Sequence, residues 1–201
     1  MSAIAHKKKS SSHKNLKRLL PLVFLDVETT GLSTQSGDRI CEIAILRKEK
    51  GGKIVRWESL INPLRPISAG AQAVNNISEE MLKDAPVFER VADKIVSLID
   101  GAALVCHNAY FDLNFLSMEL ALCDVALPVL PVIDTLRLAR QHFSFPSNSL
   151  ERIAQFLNLD IRKSHRAMAD VDTTYRVFCH FWTELGKRGI ERLEQVSLPH
   201  I

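Results

Sequence analysis

The sequence predicts an α/β fold: a mixed sheet whose first three strands are antiparallel, with helices on both faces. Three observations carry this. Three strand-like apolar runs come first, and the second and third are joined by Gly51-Gly52, a hairpin signal. Helical and strand-like segments then alternate to the end. The 201 residues, 46% hydrophobic and 24% charged, suffice for one core and are too apolar for a disordered chain.

Residues 22–27 form a continuous apolar run, as a strand buried on both faces does. Residues 40–47 and 54–61 are the next two strands. Asn76 with Glu79 reads as a capping pair opening a helix ahead of Met81 and Leu82, which Pro86 stops. Val87, Val91, Ile95, Leu98 and Ile99 keep a helical period up to Gly101. Residues 102–106 are a short buried strand. Residues 110–123 are helical, with Phe111, Phe115, Met118 and Leu122 on one side. Residues 129–133 form another strand. Helices follow at 134–142, at 148–157 with an Asn148/Glu151 capping pair, and at 167–185, closed by Gly186 and Gly189. The expected organisation is a basic flexible tail (1–20), a single domain (21–188) and a short C-terminal segment (189–201).

Net charge is +3, from 26 basic and 23 acidic residues. Lys7, Lys8, Lys9, Lys14, Lys17 and Arg18 give the tail +6, so the remainder carries 20 bases against 23 acids, or −3. Such a body does not hold nucleic acid by bulk charge, and phosphate handled there needs another neutralising group. The run Leu19–Leu25 is far short of the ~20 residues of a membrane span. Asp26 follows it directly, which also excludes a secretory signal. Cys41, Cys106, Cys123 and Cys179 form no C-x-x-C pair, so they read as free thiols of a cytoplasmic protein rather than zinc or redox ligands.

Asp26-Val27-Glu28 ends the first apolar run. Residues two apart on a strand share a face, so both carboxylates leave a buried strand side by side, and a cation is the simplest relief of their repulsion. By itself D-x-E is also what any strand entering a polar loop looks like. Asp112 stands just past the 102–106 strand, in the first turn of a helix, where acids are common for dipole reasons. His165 and Asp170 lie five residues apart, about 500° round a helix. They meet only if His165 precedes the last helix and Asp170 lies one turn in. Asp172, two residues on, faces away, and Asp134 reads as a helix cap. Each feature has an ordinary structural explanation, but their order and spacing together do not.

The segments Phe24-Leu25-Asp26-Val27-Glu28-Thr29-Thr30-Gly31-Leu32, His107-Asn108-Ala109-Tyr110-Phe111-Asp112 and His165-Arg166-Ala167-Met168-Ala169-Asp170 resemble, in order, the three motifs of the DEDD superfamily of 3′-to-5′ exonucleases. Within it they resemble most the proofreading epsilon subunits of bacterial DNA polymerase III. The Tyr subtype would carry its tyrosine where Arg166 stands, so the His subtype (DEDDh) is the one resembled. Val74-Asn75-Asn76-Ile77 departs from the family, whose members often carry His-Gly there. The resemblance spans about residues 21–185.

The resemblance implies a ribonuclease H-like sheet and hydrolysis of phosphodiesters from the 3′ end of DNA. It implies two Mg²⁺ or Mn²⁺ ions held by Asp26, Glu28, Asp112 and Asp170, with His165 as general base. Thr29, Thr30, Gly31 and Leu32 would seat the terminal nucleotide, and His107, Asn108 and Phe111 belong to the expected substrate-binding set. The expected partner is single-stranded DNA; an RNA-directed enzyme and a non-catalytic binding module are the alternatives. A polymerase is a further expected partner, although the chain's ending soon after the last helix favours a free-standing enzyme. Gln195-Val196-Ser197-Leu198 loosely resembles sliding-clamp-binding peptides.

Overall fold

The computed structural model describes residues 20–160 and 166–198. Strands β1 (Leu22–Thr29), β2 (Ile40–Lys48) and β3 (Ile54–Leu60) form the antiparallel start. The turn between β2 and β3 closes where Glu49 N–H donates to Lys53 O (2.8 Å), with Gly52 at φ +88° supplying the left-handed residue. After helices α1 (Ala69–Asn75), α2 (Glu79–Leu82) and α3 (Ala92–Ile99), β4 (Ala103–Cys106) pairs parallel to β1. Helix α4 (Ala109–Leu122) then crosses to β5 (Val132–Asp134), parallel to β4. Helices α5 (Thr135–His142), α6 (Leu150–Phe156) and α7 (Ala167–Gly186) complete the domain. The strand order is β3-β2-β1-β4-β5. This is the mixed, ribonuclease H-like sheet expected.

Alternation along β1 divides the core into two layers. Val23, Leu25 and Val27 pack with Ile95, Ile99, Phe115 and Leu116 of α3 and α4. Leu22 and Phe24 pack with Phe178, Phe181 and Trp182 of α7. Phe24 meets Phe178 edge-on at 5.6 Å between ring centroids.

Several local expectations are corrected. Asn76 is the left-handed C-cap of α1 (φ +57°), and the N-cap of α2 is Ser78, whose side chain accepts from Met81 N–H. Helix α1 itself was not expected: its seven residues are small, mostly exposed and carry no apolar period. The helix expected over 87–99 is split. Val91 (φ −116°, ψ −6°) is the junction: it ends a separate 3-10 turn, Phe88–Arg90, on which Phe88 turns into the core, and caps the helix that follows. The last parallel strand starts at Val132, while Val129 is 86% exposed. Ser149 rather than Asn148 is the N-cap of α6, without a side-chain bond.

Helix α4 is rotated from the expected face. Leu122 is exposed, whereas Asp112, Leu113, Phe115, Leu116, Glu119 and Leu120 are buried. The rotation turns two carboxylates inward, each toward a specific partner.

Candidate active site

The site lies at the C-terminal end of β1, on the boundary with β4. There the chain leaves the two parallel strands in opposite directions, which opens a crevice in α/β sheets. Asp26 and Glu28 point to the same side of β1 as Phe24, the side covered by α7. Helix α7 begins at Ala167 with Arg166 as N-cap, and Asp170 falls in its first turn, as expected. One carboxylate oxygen from each of Asp26, Glu28 and Asp170 lies within 4.8 Å of the others. All three side chains are half-buried.

Asp112 approaches from the β4 edge of β1. The β1–β4 ladder stops at the Phe24–Val105 pair, and beyond it Val27 N–H donates to Asp112 Oδ1 at 3.2 Å. Asp112 therefore sits at the edge of β1 where β4 has ended, and its charge, after burial, is the first to act on Asp26.

Crowding shows in the acidities. Burial, and then the charges of Asp112, Asp170, Glu28 and Glu42, push the Asp26 carboxyl well above the usual carboxylate range. Glu28 is pushed up to about 8, by burial first and then by Asp170 and Glu42, with Arg166 opposing. Asp112 is also raised by burial, against the Val27 hydrogen bond. Oxygen donors this close, in so little water, fit a hard divalent cation, which would restore their ionised forms.

The segment after β1 is folded by Asp38, whose carboxylate accepts from the Thr30 hydroxyl (3.3 Å) and Ser33 N–H (3.1 Å) and pairs with Arg65 at 3.3 Å. Thr30 is fully buried, and its Oγ also accepts from Arg39 N–H at 3.1 Å. Thr29 donates its hydroxyl to Gly31 O. A Cβ at Gly31 would collide with the Asp38 carboxylate, which would have to move. Of the four expected nucleotide contacts, Thr29 and Thr30 thus act as framework, while Leu32 projects 86% exposed. At the point of family departure, Asn75 is buried: its Nδ2 donates to Thr29 O at 3.4 Å, tying α1 to the end of β1.

His107 is framework as well. Its Nε2 lies 3.0 Å from Asn148 O, a pure acceptor, so Nε2 carries the proton, and Nδ1 faces the Thr135 hydroxyl at 2.9 Å. Burial lowers its pKa and keeps the ring neutral. Asn108 takes a left-handed conformation (φ +74°), with its N–H donated to Asp134 Oδ1 at 3.0 Å. Asp134 caps α5 through Leu136 and Arg137 N–H, as expected, and so couples two helix starts. Phe111 is half-buried against Phe115, at 4.9 Å between centroids. Asp172 faces away and pairs with Arg56 at 2.9 Å. His165 and the tail residues 1–19 lie outside the described residues. The clamp-like segment is folded onto the domain: Gln195 Oε1 accepts from Glu191 and Arg192 N–H, and Leu198 N–H donates to Val132 O at 2.7 Å.

Sequence reasoning missed Glu42 and Glu119. Glu42, 2% exposed, accepts two-pronged hydrogen bonds from Arg166 and one from Ala167 N–H at 3.1 Å. Glu119, 1% exposed, accepts from Arg39 Nε (2.8 Å), Arg39 Nη2 (2.6 Å) and Ile40 N–H (3.0 Å). The available signal was an acid inside an otherwise apolar strand (Cys41-Glu42-Ile43) and one beside buried leucines on a helix.

Acids converging at a strand end of this sheet fit a divalent cation. The RNase_T exonuclease family model matches residues 23–178, and the chain belongs to that family. It is 35% identical over 178 residues to 3′-5′ exonuclease DinG of Bacillus subtilis, covering 88% of this chain and 18% of that protein. It is 35% identical over 177 residues to the PolC-type DNA polymerase III of Caldanaerobacter subterraneus, covering 87% of this chain and 12% of that one. A solved structure of exonuclease X in complex with 5′ overhanging duplex DNA superposes with a TM-score of 0.70 at 28% identity, over 88% of this chain and 97% of that one. The chain thus spans less than a fifth of the length of these two sequence relatives. The expected resemblance holds: this is an exonuclease domain, and its family and acidic cluster imply a divalent metal. No helix among the described residues is long and apolar enough to cross a membrane.

Proposed function

We propose that the domain removes nucleotides from the 3′ end of single-stranded or frayed DNA, using two Mg²⁺ or Mn²⁺ ions. The observation that carries this is the convergence of Asp26, Glu28 and Asp170 within 4.8 Å at the C-terminal end of β1. When bound, the ions supply charge neutralisation at phosphate and a water acidified for attack.

The chain's own residues do the rest. Asp26, Glu28 and Asp170, with Asp112 approaching from the β4 edge of β1, are the ligands. Gly31 makes room for the Asp38 carboxylate that folds the loop seating the terminal nucleotide, and Leu32, exposed beside it, offers an apolar face to the base. Asn108 and Phe111 are the other candidate contacts, on a helix start fixed by Asp134. His165, next in the chain to the N-cap of α7, takes the proton from the attacking water, a role an imidazole can fill at neutral pH. DNA is favoured because one sequence relative is a DNA polymerase III and the superposed exonuclease X is bound to DNA. The four free cysteines suit a reducing cytoplasm, and work beside a polymerase is in keeping with the PolC-type relative.

The test is digestion of 5′-labelled single-stranded DNA and RNA oligomers with Mg²⁺, Mn²⁺ or EDTA. A ladder shortening from the 3′ end, metal-dependent and faster on DNA, is expected. Faster loss of RNA would transfer the reading to an exoribonuclease. No digestion of either at any metal concentration would leave a binding module.

A further inference from the structure

Asp170 is the one member of the converging triad that does not come from β1, so its place depends on how α7 is seated. Helix α7 starts at Ala167, with Arg166 as its N-cap. Its length packs on the sheet through Val171, Phe178 and Phe181, and its first turn is held by Glu42. This buried carboxylate accepts from Arg166 Nε at 3.0 Å, from Arg166 Nη2 and from Ala167 N–H at 3.1 Å. Arg166 O in turn accepts from Asp170 N–H at 3.2 Å, so the gripped residue and the carboxylate share the first helical turn. On β2, Glu42 is the register partner of Glu28. A register shift follows directly: Glu28 pairs with Glu42 and Thr29 with Ile40, so Cys41 is an extra residue. One carboxylate in the sheet therefore measures the distance between the β1 ligands and the α7 ligand.

Resting on the exonuclease reading above, we propose that Glu42 and Arg166 are positioning residues that set Asp170 against Asp26 and Glu28, and so set the affinity for the divalent cation. A planar guanidinium gripping one carboxylate with two N–H groups resists rotation as well as separation, which a point charge does not. The Arg39–Glu119 pair supplies an internal comparison. It too has a buried carboxylate, a two-pronged arginine and a backbone N–H. It ties α4 to the start of β2, and Glu119 stands two helical turns from Asp112.

The experiment uses the full chain and three readouts: Mn²⁺ binding followed by the electron paramagnetic resonance of free Mn²⁺, thermal unfolding in EDTA, and digestion of a labelled dT oligomer over a Mn²⁺ titration. Glu42→Gln should weaken Mn²⁺ binding by about 10–100-fold, the usual effect of losing an outer partner of a metal ligand. The Mn²⁺ half-saturation of digestion should rise in step, while KM for the oligomer at saturating Mn²⁺ stays near wild type. Arg166→Ala should do the same, with Arg166→Lys intermediate; these substitutions keep the test open if Glu42→Gln does not fold. Glu119→Gln should lower the melting temperature without moving Mn²⁺ affinity. Wild-type Mn²⁺ affinity in Glu42→Gln or Arg166→Ala overturns the inference. So does a loss in Glu119→Gln as large as theirs, because it would mark general loosening. Failure of wild type to digest DNA or RNA while binding Mn²⁺ would count against the exonuclease reading alone.

Discussion

Glu28 and Glu42 face each other in register across β1 and β2, two acids side by side in the middle of a sheet. Their fates differ. Glu42 is 2% exposed and gripped by Arg166, whereas Glu28 is half-buried beside Asp26 and Asp170 and is pushed up to about 8. The fold neutralises one acid with its own arginine and leaves the other to a cation. The behaviour of the metal-free domain follows from that division.

Removing one charge from the cluster separates activity from stability. Asp26→Asn and Asp170→Asn each lose a cation ligand and should retain less than about a tenth of wild-type turnover at saturating metal. In EDTA the same proteins should melt at or above the wild-type temperature, because carboxylate repulsion is relieved. Turnover above a tenth would remove that residue from the ligand set.

Stability of the metal-free protein should fall as pH rises. Glu28 has a folded pKa of about 8 against an ordinary value of 4.5, so the folded state binds more protons than the unfolded one between these values. Stability therefore declines with increasing pH across that window and levels off above it, and Asp26 and Asp112, also raised, act in the same direction. Thermal unfolding in EDTA at pH 5.5 and 8.5 should show the higher melting temperature at pH 5.5. Millimolar Mn²⁺ should raise the pH 8.5 value more than the pH 5.5 value, because binding needs the ionised carboxylates. Melting temperatures independent of pH in EDTA would contradict the crowding described here.

Gly31→Ala should disturb the nucleotide loop without touching the carboxylates. The added methyl must displace Asp38, which holds Thr30, Ser33 and Arg65. Overpacking of this kind costs about 1–3 kcal/mol. KM for a short DNA oligomer should rise several-fold, with Mn²⁺ half-saturation unchanged. An unchanged KM would show that the loop does not seat the nucleotide.

His165→Ala should lower the digestion rate by about 10²–10⁴-fold, with little effect on oligomer binding in Ca²⁺, and should remove the acidic limb of the pH–rate profile. A profile that keeps its acidic limb would place the proton acceptor elsewhere.

The β1 carboxylates were legible in the sequence because a strand has a period of two and a run of apolar residues fixes where it ends. Asp112 and Asp170 were legible as first-turn acids only through the order of three motifs, and order is a property of the family rather than of local chemistry. The departures lie where local signals compete. Asn76 and Asn148 look like N-caps, yet Asn76 closes a helix and the Asn148 carbonyl holds His107. Leu122 continues an apolar period, yet α4 turns so that Asp112 and Glu119 face inward.

The sheet with its antiparallel start and the two-acid strand end were readable from patterns over neighbouring residues, and the family from the order of three motifs along the chain. Tertiary structure alone decided which buried acids are satisfied. Glu42 and Arg166 stand 124 residues apart, and Arg39 and Glu119 stand 80 apart. Whether a buried carboxylate meets an arginine or is left for a cation depends on the packing of α4 and α7 against β2. No local periodicity encodes that distance, because a charge's partner is set by where two elements meet in space.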